Sequence, residues 1–179
     1  MSTEHIKKTL LSAIDNIKAN PAAAKVVFRA STELGEGMHC TSKIRDFPAM
    51  SIDEPPELGG TDSGPNPVEI VLAALGTCQE IVYRAYGAVM GIPLESVKCD
   101  VRGHLDLRGL FAMDPSIPAG FQKIMFETTI RSSASPEEMA KLAQVVESHC
   151  PVLNTLQASV QVTGSVTLND HPLALEATA

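Results

Sequence analysis

The stretch from Asn66 to Gly91, NPVEIVLAALGTCQEIVYRAYGAVMG, constrains this chain more than any other. Asn66 is a good N-cap, Pro67 suits the first helical position, and Glu69 stands where its carboxylate reaches back to the cap N–H. Gly91 and Pro93 stop the pattern. The spacing predicts one helix over 67–90, roughly 36 Å long at about 1.5 Å per residue. Apolar residues run almost all the way round it, so it needs cover on nearly every side. A chain of 179 residues has limited material for that cover. A second copy of the chain is the expected source of the rest. Thr77, Gln79, Glu80 and Arg84 interrupt the apolar run, so it is not read as a membrane span.

Around this helix the pattern alternates. Ile6, Leu10, Leu11, Ile14 and Ile17 fall at helical spacing, so residues 1–20 read as an amphipathic N-terminal helix ended by Asn20-Pro21. Residues 21–179 read as the main domain. In it, 25–31 and 38–47 have strand character, with Gly35-Glu36-Gly37 as the turn between them. Residues 48–65 form a long acidic loop rich in Pro and Gly, and loops of that length are often functional. Residues 97–102 alternate apolar and charged side chains, 121–132 supply a returning strand, and Ser135-Pro136-Glu137-Glu138 opens a helix to about 147. Pro151 breaks that helix and is placed to open a short one. The segment 158–168 reads as β-rich, and 169–179 as a loose tail. The order predicts an α+β fold rather than a doubly wound sheet.

Composition narrows the function classes. The formal net charge is −7, there is no Trp, and aromatics make up 4% of the chain. Neither a phosphate-binding basic surface nor a base-stacking platform is available, so no nucleic-acid partner is expected. The opening residues lack the apolar core of a signal peptide, and a cytoplasmic location is expected.

Four cysteines stand at 40, 78, 99 and 150, with no CxxC pair among them. Cys99 lies between Val97 and Val101 on the apolar face of its strand and reads as core filler. Cys40 adjoins His39, but neighbours on a strand point to opposite faces, so the two make no dyad. Cys78 has Val71, Ala74, Leu75, Ile81 and Val82 around it at helical spacing, which favours a buried, unreactive thiol. Reactivity there needs a partner from another segment. Cys150 precedes Pro151 and would cap a helix starting there, where the dipole favours thiolate. If Cys78 and Cys150 meet, they form an attacking and a resolving thiol. Spacing alone leaves that open. A metal site built from Cys40, Cys78, Cys150 and His39, His104 or His149 has no ligand spacing to support it.

The segments RDFPAMSIDEPPELGGTDSGPNPVEIVLAALGTC, GHLDLRGLF and HCPVLNTL resemble those of the OsmC and organic hydroperoxide resistance proteins. The resemblance covers about 26–166. It implies an intertwined α+β homodimer, with two long central helices wrapped by antiparallel sheets and a site at each end of the interface. It implies that Cys78 is peroxidatic and Cys150 resolving, that organic or fatty-acid hydroperoxides are reduced, and that an external dithiol or lipoyl-type reductant restores the thiols. No bound cofactor or metal is implied. Two positions depart from the organic hydroperoxide branch. That branch has Glu directly after Asn-Pro, where this chain has Val68 and then Glu69. It also has an Arg in the first β-turn, where this chain has Gly37, Met38 and His39. Both departures touch the activity rather than the family. Glu69 stands either as a cap or as a helper of thiolate formation, and His39 as an imidazolium partner or a surface residue. The expected function is a homodimeric, two-cysteine hydroperoxide reductase of oxidative-stress defence, the 48–65 loop bordering its site. The alternative is an OsmC-like dimer that binds a small apolar ligand at its interface.

Overall fold

The computed structural model describes residues 2–173. Helix α2 spans Pro67–Met90, as its end signals predict. Asn66 Oδ1 accepts from Glu69 N at 2.9 Å and Glu69 Oε2 accepts from Asn66 N at 2.9 Å, closing the capping box. Gly91 closes the other end with φ 74°, a left-handed conformation that costs glycine little.

Among the described residues, α2 is the element on which three other helices and a β-ribbon pack. Helix α1 (Thr3–Ala19) lies along it. Strands β4 (Ser96–His104) and β5 (Lys123–Arg131) form an antiparallel ribbon in register from Ser96↔Arg131 to His104↔Lys123. Val97, Cys99, Val101 and Gly103 alternate with exposed residues on β4, and that half-buried side faces the helix. Helix α3 (Leu107–Leu110) lies in the excursion between the two strands. Helix α4 (Pro136–His149) and the short α5 (Pro151–Gln157) close a further side. Two apolar clusters result. One contains Tyr83, Ile92, Leu142 and Val146, and the other Leu75, Cys150 and Leu153. One stripe of α2 stays open, with Ala73, Thr77 and Ile81 exposed one turn apart.

A separate antiparallel sheet, β1 (Ser31–Leu34), β2 (Cys40–Lys43) and β3 (Met50–Ile52), precedes α2 and makes no extensive contact with the helices. The Gly35–Gly37 turn joins its first two strands as expected, but the strands are shorter than the sequence pattern. Residues 25–30 have no ladder partner among the described residues, and Val26, Val27 and Phe28 are 65%, 82% and 90% exposed. A strand needs a neighbour to exist as one, and this segment has none among the described residues. The 48–65 loop contains β3, which the density of Pro and Gly concealed. Of the segment 158–168, Val166–Leu168 alone is a strand, β6. It pairs with β7 (His171–Leu173) around Asn169 and Asp170, both at positive φ. The tail expected from 169 therefore begins with a hairpin, because Asn and Asp tolerate the turn that β6 and β7 need. Residues 174–179 lie outside the described part.

Candidate thiol site

The loop before α2 is tied by one carboxylate. Asp53 is 1% exposed. It accepts from Glu54 N, from Thr61 N and Oγ1 at 3.0 and 2.6 Å, and from Ser63 N and Oγ at 3.2 and 2.9 Å. The Thr61 hydroxyl and then the Ser63 donors hold its carboxyl far below the usual carboxylate range, against the opposing effect of burial. Gly60 and Gly64 let the loop fold this tightly: a Cβ on either would overlap a backbone carbonyl, that of Glu54 or of Ser51. This cage delivers Pro65 and Asn66, and so fixes where α2 starts.

From that start, Cys78 falls about three turns in, at the edge between the buried and the open faces of the helix. Cys150 falls at the junction of α4 and α5, where Pro151 ends one helix and begins the next. The two sulfurs are 3.3 Å apart, with the Cys150 S–H directed at Cys78 Sγ. Cys150 is wholly buried against Leu75 and Leu153, whereas Cys78 is half-buried. Burial pushes the Cys150 thiol up, Cys78 beside it adds to that, and the N–H groups of Leu153 and Val152 at the start of α5 oppose it. A disulfide has S–S near 2.05 Å, so the sulfurs need to close by only about 1.3 Å.

The other site candidates do not join this pair within one chain. The Glu69 carboxylate is spent on the capping box, and its backbone lies about 13.5 Å along the helix axis from that of Cys78. His39 Nε2 is 2.8 Å from Ser51 Oγ, in a cleft of about 460 Å³ that Asp53, Thr61 and Ser63 also line. The Arg45 guanidinium stacks 4.6 Å over the Phe47 ring. Cys99 accepts weakly from Thr128 Oγ1 at 3.6 Å, and burial pushes its thiol up as well. Among the described residues no three His, Cys, Asp or Glu side chains come within reach of one metal ion. His149 precedes Cys150 but lies exposed against Tyr86, their ring centroids 5.5 Å apart. No helix of the described residues is long and apolar enough to cross a membrane.

A groove of about 280 Å³, with Gln122, Lys123 and Gln157 among its lining, lies beside the Cys150 cluster. It shares Leu75 and Leu153 with the Cys150 cluster and continues past Phe121, Ile124, Phe126 and Leu156. Two residues escaped the reading of the sequence. Asp53 was one acid in an acidic loop, and its partners stand eight and ten residues away. Gln79 was read as an interruption of the apolar run, yet it is fully buried. No periodicity signals either.

The fold and the site together define an α+β protein whose long apolar helix presents one cysteine to a second, buried one. The OsmC-like protein family model matches residues 60–165, and the chain belongs to this family. An uncharacterized protein of Haloferax volcanii is 29% identical over 141 residues, covering 76% of this chain and 95% of that protein. Among solved structures, an OsmC-like protein from Mycoplasma pneumoniae superposes with TM-score 0.66 at 20% identity, over 75% of this chain and 90% of the other. An organic hydroperoxide resistance protein OsmC from Legionella pneumophila gives 0.56 at 22% identity, over 74% and 90%. At such identities the two structures show a common fold.

Proposed function

We propose that this chain is a two-cysteine hydroperoxide reductase acting as a homodimer. The observation that carries the reading is the 3.3 Å approach of a half-exposed cysteine to a sealed one. The Cys78 thiolate attacks the distal oxygen of an organic hydroperoxide, the O–O bond breaks, and the alkoxide leaves as the alcohol after taking a proton. Cys78 is then a sulfenic acid. The Cys150 thiolate attacks the Cys78 sulfur, the S–S bond forms, and hydroxide leaves as water. An external dithiol, of lipoyl type or similar, returns two electrons and two protons. The groove that shares Leu75 and Leu153 with the Cys150 cluster, mixed apolar and polar in its lining, has room for an alkyl or fatty-acid hydroperoxide. Within one chain neither Glu69 nor His39 reaches the pair, so a role for either in thiolate formation runs across the subunit interface.

The test uses one equivalent of an organic hydroperoxide on the reduced protein, an alkylating quench and thiol mapping by mass. Cys78 and Cys150 should vanish together into one disulfide. In C150S, Cys78 should stop at the sulfenic acid and react with a dimedone probe; in C78S, peroxide should persist. If both thiols of the native protein stay alkylatable while peroxide remains, the reading fails. The second reading then stands, a dimer that binds a small apolar ligand, seen as thermal stabilisation by fatty acids without turnover.

A further inference from the structure

Gln79 is 0% exposed, and neither its amide nitrogen nor its amide oxygen has a hydrogen-bond partner. Buried amides are almost always satisfied, and one that is not calls for a group that appears in another state, or for a water. A partner subunit does not supply it, because the side chain is sealed within its own chain. Its position narrows the choice. Gln79 follows Cys78 directly and lies one turn after Leu75 and one turn before Tyr83, on the buried face of α2. Leu75 and Cys78 both pack against Cys150. The amide therefore lies on the same buried face of α2 as Leu75, one turn from the residue that packs on Cys150.

Resting on the peroxidase reading above, we infer that Gln79 serves the disulfide-forming step, its side-chain N–H turning to donate to the Cys150 sulfur as that sulfur becomes a thiolate. In the reduced protein Cys150 keeps its proton and directs it at Cys78. Once Cys78 is a sulfenic acid, Cys150 must lose that proton before it can attack. Its surroundings are apolar, apart from the first N–H groups of α5. A neutral donor favours the thiolate there without adding a charge that would itself need a partner. The electron pair of the Cys150 thiolate forms the S–S bond, the S–O bond of Cys78 breaks, and hydroxide leaves with a proton as water.

The experiment separates the two steps in single turnovers of the native protein and of Q79M, a neutral variant of similar length. One oxidant is an alkyl hydroperoxide. The other is diamide, which reaches the same disulfide without any peroxide chemistry. In Q79M, oxidation of Cys78 should keep its rate. Closure of the disulfide should slow about tenfold, and its pH midpoint should rise by about one unit, with both oxidants. Q79M that closes at the native rate and midpoint overturns the inference, even with an altered melting temperature, since the amide then serves packing or a buried water. If diamide closure depends on Gln79 while peroxide leaves native Cys78 untouched, the inference stands and the peroxidase reading falls. Should Q79M not fold, the side-chain N–H resonances of Gln79 in the native protein decide. They must shift with the Cys150 titration, and unmoved resonances overturn the inference.

Discussion

Asp53 shows how one side chain sets the frame for chemistry elsewhere. Its depressed carboxyl has a direct consequence for stability against pH. The folded value lies below the unfolded value of about 3.9, so the cage contributes fully above that value. Its contribution is lost as pH falls from there toward the lower folded value. D53N should therefore melt lower than the native protein at pH 7, and the gap should narrow as pH drops below about 4. Melting curves across that range check this. A gap that is constant with pH would mean that the carboxylate charge is irrelevant to the cage. The sequence could not reveal the cage, because its members are polar residues ordinary in any loop. What joins them is a chain reversal fitted by Gly60 and Gly64.

At the scale of elements, α2 was fully legible. Asn66, Pro67, Glu69 and Gly91 are local signals, and a helix end obeys local physics. N66A should cost about 0.5–2 kcal/mol of stability, measured by urea unfolding. E69Q retains an oxygen for the Asn66 N–H, so it should keep the helix and separate the two readings of Glu69. An unchanged peroxide rate in E69Q, with stability little altered, marks a cap. A rate that drops at constant stability marks a helper of the thiolate. The strands were less legible, because a ladder depends on a second segment. The KVVFRAS pattern announces a strand, yet only its last residue, Ser31, finds a pairing partner among the described residues. Asn169 and Asp170 form a turn that becomes a hairpin because β6 and β7 meet around it.

For the whole molecule, three surfaces are left bare together. They are the Ala73, Thr77 and Ile81 stripe of α2, the Val26–Phe28 segment, and the β1–β3 region, where Leu34 on β1 and Phe47 between β2 and β3 are 65% and 57% exposed. Apolar area on this scale is uncommon on a monomer. Light scattering should give twice the chain mass, and F28D should shift it toward one chain with a lower melting temperature. A native protein of single-chain mass would remove the intertwined dimer from the proposal. Loss of hydroperoxide turnover in F28D alongside intact thiols would place part of the site across the interface.

By itself, the sequence determined the α+β class, the ends of the long helix, the short helix after Cys150 and the two cysteines worth pairing. The helix ends follow from neighbours within a few residues, where backbone capping, proline geometry and side-chain periodicity act, and the choice of cysteines from the resemblance of the segments around them. Tertiary structure alone decided that Cys78 and Cys150 stand 3.3 Å apart across 72 positions of sequence. It also decided that Asp53 is caged and that Gln79 is sealed without a partner. Those facts depend on which faces of α2, α4 and α5 come together. Burial and close packing set that arrangement over the whole chain at once, and no local pattern encodes it.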